Sequence, residues 1–339
     1  DQMSVTAEVR RQDDEIDEPK INLTAPGLSP GTFKATLPRI SFKNQLSSNA
    51  MAYLTYSEGN LPGGFNPEVA TKLRNAGQIA EFQAQNPGIF ENYGEESLKN
   101  YELGYKKTAL DGRLAYNIAL FSMERTDQVY SGFGQITADG ICNAGSEDVV
   151  VCTVNFSGNG QSSDINGFEL DGTYLVSENL EIKTSLAYVD ATISQFPDGA
   201  GCGDIQAVFG DCSRVKGSIA PRYPEWQGSL IANYETDSNL YIRGELFYND
   251  GYYDEATNLA EIPSGTEINL RVGKRMENMT AELYVTNLTD EDAPLGGNNI
   301  ADTSGYVRFG TYSYNFGVES VHIAFRDKRE FGVRVMYEF

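Results

Sequence analysis

Histidine and tryptophan are almost absent: one of each, His322 and Trp226, in 339 residues. A triad built on imidazole must therefore use His322, which lies in a long connection. No G-x-S-x-G nucleophile elbow accompanies it, so no catalytic constellation forms and an enzyme is not expected. No apolar run approaches the roughly 18 residues that mark a membrane-crossing helix. Basic residues are scarce, 26 against 48 acidic ones, for a net charge of −22. No basic stripe stands out, which argues against a nucleic-acid partner. Nothing in the sequence calls for a cofactor.

What is present is 20 Tyr, 17 Phe and 34 Gly, a profile of strands with aromatic ends and many turns. The last stretch shows the pattern most cleanly. Phe331, Val333, Val335, Tyr337 and Phe339 fall on one face of a strand, and Gly332, Arg334, Met336 and Glu338 on the other. The same alternation recurs from Met3–Arg10, through Phe33–Phe42, to Met279–Thr286, while Met51–Tyr56 is apolar on both sides and reads less cleanly, giving about twelve strands by a period-2 criterion. The second of these slips register near Pro38. Short turns at 47–49, 110–112, 177–179, 237–239 and 276–278 alternate with long connections at about 12–32, 58–97, 126–164, 191–224, 249–266 and 289–328. An antiparallel transmembrane β-barrel with short periplasmic turns and long extracellular loops produces this rhythm. A soluble sandwich has no reason to keep every long loop at one end. Such a barrel is exported, yet no basic n-region or apolar h-region follows Asp1; a removed signal peptide or a longer parent chain is expected.

The four cysteines form two equally spaced pairs, Cys142 with Cys152 and Cys202 with Cys212, each inside one long loop. The economical reading in an oxidising compartment is two local disulfides; free thiols or cross-loop pairing are the alternatives. A thiolate metal site lacks a tight C-x-x-C and a nearby histidine, so no metal is expected. The acidic run Asp13–Glu18 reads as a solvated loop, without the glycine-punctuated spacing of a calcium site. The loop aromatics Tyr252, Tyr253, Tyr306, Tyr312 and Tyr314 are candidates for stacking on a ligand, against a plainer role in packing the loops together.

Several segments resemble TonB-dependent outer-membrane receptors: Met51–Gly59 followed by Pro62–Asn66, Ser97–Lys106, Gly167–Leu170, Val285–Asp290 and the ending Arg329–Phe339. The resemblance spans nearly the whole chain. It implies that residues 1–339 are the C-terminal portion of a barrel of about 22 strands, without a plug domain. It further implies active uptake of a scarce solute across the bacterial outer membrane. Ferric siderophore is the family's commonest cargo, with cobalamin or carbohydrate as alternatives. The implied partners are the TonB inner-membrane complex acting through the plug, outer-membrane lipid and lipopolysaccharide, the small-molecule ligand, and the barrel-assembly machinery, which reads the terminal strand Phe331–Phe339. The rival readings are a stand-alone passive channel, an outer-membrane enzyme and a soluble β-sandwich.

Overall fold

A computed structural model describes residues 2–16, 31–72, 76–86, 88–137, 151–196, 215–256, 258, 261–301 and 319–339. In chain order the elements are β1 (Met3–Ile16), β2 (Gly31–Ser47), β3 (Ala50–Leu61), β4 (Gly64–Phe65), α1 (Pro67–Lys72), α2 (Ala76–Gln85), β5 (Asn92–Tyr93), β6 (Glu96–Ala109) and β7 (Leu114–Thr137). There follow β8 (Val151–Ser177), β9 (Leu180–Gln195), β10 (Trp226–Glu235), β11 (Leu240–Asn249), β12 (Tyr252–Tyr253), β13 (Glu261–Ile262) and β14 (Gly265–Arg275). The last are β15 (Met279–Thr286), β16 (Gly296–Ala301), β17 (Glu319–Ala324) and β18 (Glu330–Tyr337).

Twelve strands form one sheet in the order β1-β2-β3-β6-β7-β8-β9-β10-β11-β14-β15-β18, an antiparallel meander. Each strand read from sequence alternation is present. The two-residue connections at Ser48–Asn49 and Glu178–Asn179 close one end, and the long connections leave from the other.

The register explains the alternation. Val5, Phe42, Leu54, Leu103, Leu120, Phe168, Tyr188 and Trp226 are successive cross-strand neighbours from β1 to β10. They form one unbroken apolar row, and Leu54, Leu103 and Leu120 are each about half exposed. An apolar row without a covering layer belongs against lipid. Its aromatic members pack together: the Phe168 and Tyr188 rings stack at 5.9 Å, and Tyr188 meets Trp226 at 4.8 Å. Tyr56 and Tyr101, 4.9 Å apart, lie one step further toward the long loops, and Tyr105 and Tyr116 lie toward the turns. On the opposite face the matching row is Tyr53, Gly104, Ala119, Glu169, Ala187, Gln227 and Asn249, small or polar throughout.

Two expectations are corrected. The first is the slip at Pro38: the β1–β2 ladder runs unbroken through Val9 opposite Pro38, and the irregularity falls between Gln45 and Ser47. Pairing of β2 with β3 begins only at Arg39 opposite Ser57. Pro38 therefore lies where β2 has a free side, the position that tolerates a missing N–H. What switches there is the apolar face. Ala35 is buried on one side, whereas Ile40 and Phe42 are exposed on the lipid side.

The second correction concerns the connection expected at 126–164. Much of it is strand: β7 has 24 residues and β8 has 27. At about 3.3 Å per residue, 27 residues reach some 90 Å, three times the ~30 Å that lipid requires. Beyond Thr126 the two strands pair, among the described residues, only with each other. Outside lipid no apolar face is selected, so the period-2 signal vanishes although the ladder continues. The connection at 58–97 likewise contains α1 and α2. Val69, Phe82 and Ile89 from this segment are fully buried, as is Val154 of the ribbon. A second small core, Ile165, Ala191, Ile193, Val215 and Ala220, lies where β8 and β9 leave the apolar belt.

Candidate functional site

The polar face and the loop end hold the groups able to meet a solute. Three inward tyrosines each lie over a glycine of the next strand: Tyr53 over Gly104, Tyr241 over Gly273 and Tyr284 over Gly332. A Cβ on those glycines would sit 2.1, 2.4 and 2.1 Å from the rings, so only glycine leaves the space. Each hydroxyl donates to a glutamate: Tyr53 to Glu102 at 2.5 Å, Tyr241 to Glu282 at 2.7 Å and Tyr284 to Glu330 at 3.2 Å. Lys106, Arg275 and Arg334, each two residues beyond the glycine, lie 5.8, 4.5 and 5.7 Å from the ring centres. This arrangement stitches neighbouring strands on the wet face.

Near the turn end a ladder of alternating charge crosses β9 to β18. Lys183 pairs with Glu181 at 3.0 Å, Asn233 donates to Glu181, and Arg243 pairs with Glu245 at 2.6 Å. Arg271 bridges Glu245 and Glu282 at 3.9 Å each, and Arg334 reaches Glu282 at 3.6 Å. Glu245 and Glu282 are buried among these cations.

At the loop end polar anchors hold the connections. Asn66, 2% exposed, donates from Nδ2 to the carbonyls of Phe90 (2.8 Å) and Ser157 (2.7 Å) and accepts the Ser157 N–H at 2.6 Å. The helical loop is thereby fixed to the free side of the β8 ribbon. Glu68 does the same at the Asn155 N–H, 2.8 Å away. Glu96, also buried, pairs with Arg125 and accepts the Val129 N–H.

A further anchor is a turn in which Asn287 and Asp290 both adopt positive φ, 50° and 56°. Asn287 Nδ2 donates to the Glu291 carbonyl at 2.8 Å and the Asp327 carbonyl at 2.9 Å, tying both roots of the last long connection. Glu291 accepts the N–H groups of Ala293, Thr266 and Asp292, which hold its carboxyl below the usual range, with Arg326 adding to the effect. The Arg329 N–H does the same for Asp290.

Of the residues expected to stack on a ligand, Tyr252 and Tyr253 form the small strand β12, half-buried. The Tyr252 hydroxyl donates to the Leu295 carbonyl at 3.2 Å, and the Tyr253 carbonyl accepts the Arg222 N–H at 2.8 Å. Both tie loops together. Tyr306, Tyr312 and Tyr314 lie outside the described residues, as do Cys142, Cys202 and Cys212. The backbone of Cys152 pairs with Ile136 in the ribbon. In the acidic run, Asp13 faces Lys34 at 3.3 Å, and no metal-binding cluster of His, Cys, Asp or Glu occurs among the described residues. Phe331, Val333, Val335 and Tyr337 are strongly exposed along β18, whose only strand partner among the described residues is β15, and Tyr337 touches Phe339 at 5.1 Å. The three stitches, the charge ladder and Asn66 as an anchor were not foreseen from sequence. Pro62–Asn66 and Val285–Asp290 did stand out there as motifs, without their bonding partners.

Over residues 1–288 the sequence matches the family described as TonB dependent receptor-like, beta-barrel. Solved structures share the fold at low identity. A siderophore receptor of Acinetobacter baumannii has a TM-score of 0.65 at 15% identity, covering 98% of this chain and 40% of its own. The ferric preacinetobactin receptor of the same organism has 0.63 at 17% identity, covering 100% and 40%. The ferric yersiniabactin uptake receptor of Yersinia pestis has 0.62 at 14%, covering 92% and 38%. The chain thus spans about two-fifths of the length of these structures. The apolar belt, the stitched polar face and the anchored loops are those of an outer-membrane barrel in a family of transporters and receptors rather than enzymes, and the chain belongs to the TonB-dependent receptor β-barrel family.

Proposed function

We propose that residues 1–339 form the C-terminal portion of a barrel of about 22 strands, and that the whole protein takes up a scarce nutrient, foremost a ferric siderophore, across the outer membrane. The observation that carries this reading is the pair of open edges. Among the described residues β1 pairs only with β2 and β18 only with β15, and both faces of β1 are exposed over Met3–Arg10. Each unsatisfied backbone group in lipid costs several kcal/mol, so such a sheet needs further strands on both sides. The share of the relatives' length covered supports the same reading, and the relatives named above favour chelated iron. Energy would come from the TonB complex through a plug seated on the charge ladder, and lipid and lipopolysaccharide would face the apolar belt. Two loop disulfides, Cys142–Cys152 and Cys202–Cys212, fit an exported chain.

The test is radiolabelled iron uptake by iron-starved cells expressing the full-length protein, with and without a functional TonB system. Uptake that requires both supports the receptor. Discrete single-channel conductance from the refolded 1–339 segment as a monodisperse monomer would overturn it in favour of a passive channel.

A further inference from the structure

Three of the long connections bond to one another as well as to the sheet. They are 196–225 between β9 and β10, 250–264 between β11 and β14, and 287–329 between β15 and β18. Between the first two, the Arg222 N–H donates to the Tyr253 carbonyl at 2.8 Å, and the Arg222 guanidinium donates to Asp254 at 2.8 Å. Asn258 closes the same junction with its side chain. Its Oδ1 accepts the Ile219 N–H at 2.8 Å, and its Nδ2 donates to the Ile219 carbonyl at 2.9 Å. Between the second and third, the Tyr252 hydroxyl donates to the Leu295 carbonyl at 3.2 Å. At the root of β14, the Thr266 N–H donates to Glu291 at 3.2 Å and Arg326 pairs with Glu267 at 2.6 Å.

Packing follows the same path. Val215 and Ala220 of the first connection lie in the small core with Ile165, Ala191 and Ile193, and Ala256 of the middle connection packs against it. Gly265 ends the middle connection. A Cβ there would lie 3.3 Å from Ala293 and 3.0 Å from the Arg326 guanidinium, so the third connection rests directly on this backbone.

Backbone strain shows why the contacts depend on one another. Arg222 has φ 65° and Asn258 has φ 53°, both in the left-handed region. Asparagine tolerates that region, whereas arginine adopts it only when its surroundings hold it there. The surroundings here are the neighbouring connection, since both Arg222 bonds cross the junction. If the middle connection leaves, Arg222 loses the partners that hold its backbone, and the Ile219 N–H and carbonyl lose Asn258. If the first connection leaves, the Asp254 carboxylate, 10% exposed, loses its cation. Each arrangement is stable only beside the other, which is the condition for opening together rather than singly.

We propose that the described parts of these three connections form one cooperative unit, which opens locally in a single step. The middle connection joins it, with Tyr253 and Asn258 turned to the first and Tyr252 to the third. Whatever orders one connection by binding to it therefore stabilises the other two without touching them.

The experiment is amide hydrogen exchange of the purified full-length protein. It is read at Ala220, Arg222 and Leu295, whose N–H groups bond the carbonyls of Ala191, Tyr253 and Ala324. Asn258→Gly keeps the left-handed backbone at no steric cost and removes both bonds to Ile219. The expected result is exchange about tenfold faster at Ala220 and Arg222, and faster by the same factor at Leu295 in the third connection. Tyr252→Phe, which removes only the hydroxyl bonded to Leu295, is expected to speed Ala220 and Leu295 equally. Faster exchange at Ala220 and Arg222 in Asn258→Gly, with Leu295 at its wild-type rate, would overturn the proposal, because the connections would then be neighbours and not a unit. Wild-type rates throughout in both variants would do the same. A rise that extends to Leu246 and Leu270 in the sheet would also overturn it, because the connections would then only report loosening of the barrel.

Discussion

Asn66 offers the sharpest check on how the loops are held. Its side chain makes three hydrogen bonds, two donated from Nδ2 and one accepted at Oδ1, and it is 2% exposed. Asn66→Ala removes all three and leaves the Ser157 N–H and the Ser157 and Phe90 carbonyls without their partner. Each buried group left unsatisfied costs about 1–3 kcal/mol, and partial rehydration at the ribbon's rim offsets some of this. A local loss of about 3–5 kcal/mol follows, enough to open the 58–97 connection from β8 without unfolding the sheet. Asn66→Asp isolates the cause: size is kept, but a carboxylate oxygen now faces two carbonyl oxygens. It is expected to open the loop at least as far as alanine does. Amide hydrogen exchange of the purified full-length protein reads this directly, as faster exchange at Ser157 and Asn155 with unchanged protection at Leu103 and Leu120. Wild-type protection at Ser157 in the aspartate variant would refute the reasoning, because the lost donors would then carry no weight.

Gly104→Ala places a Cβ 2.1 Å from the Tyr53 ring; displacing that ring and its Glu102 bond is expected to cost about 1–3 kcal/mol, read as a lower temperature for loss of the compact, heat-modifiable band on gels, with Tyr53→Ala/Gly104→Ala less affected than the sum of the single variants. The Glu291 and Asp290 carboxyls are held low by backbone N–H groups, so their contribution is complete above the ordinary carboxylate pKa and lost as pH falls through the depressed folded value. Protease nicking near residues 288–293 is therefore expected to rise on acidification below about pH 4, and Glu291→Gln is expected to blunt that rise. Non-reducing peptide mapping of protein from the outer membrane is expected to recover Cys142–Cys152 and Cys202–Cys212; four alkylatable thiols, or a 142–202 link, would contradict the local pairing. Deleting Phe339 from the full-length protein is expected to lower its outer-membrane abundance, and unchanged abundance would remove the terminal aromatic as an assembly signal.

Although it left Met51–Tyr56 apolar on both sides and took the change of face at Pro38 for a slip in register, the alternation of apolar and polar residues located about twelve strands, the apolar side of most of them and the end at which the long loops lie. These are local properties: a strand turns its side chains to opposite faces every residue, and lipid on one face with water on the other writes that period into the chain. Where lipid ends, the signal ends, which is why the outer halves of β7 and β8 and the helices α1 and α2 were invisible in the alternation. What required the tertiary structure is everything that depends on register between segments distant in sequence. Asn66 meets Ser157 across 91 residues, and Tyr53 meets Glu102 across 49. The charge ladder needs six strands to be aligned at once. Each of these residues is an ordinary Asn, Tyr or Glu in its own segment. Only the pairing of strands decides that a glycine lies under a ring or that a cation lies beside a buried carboxylate.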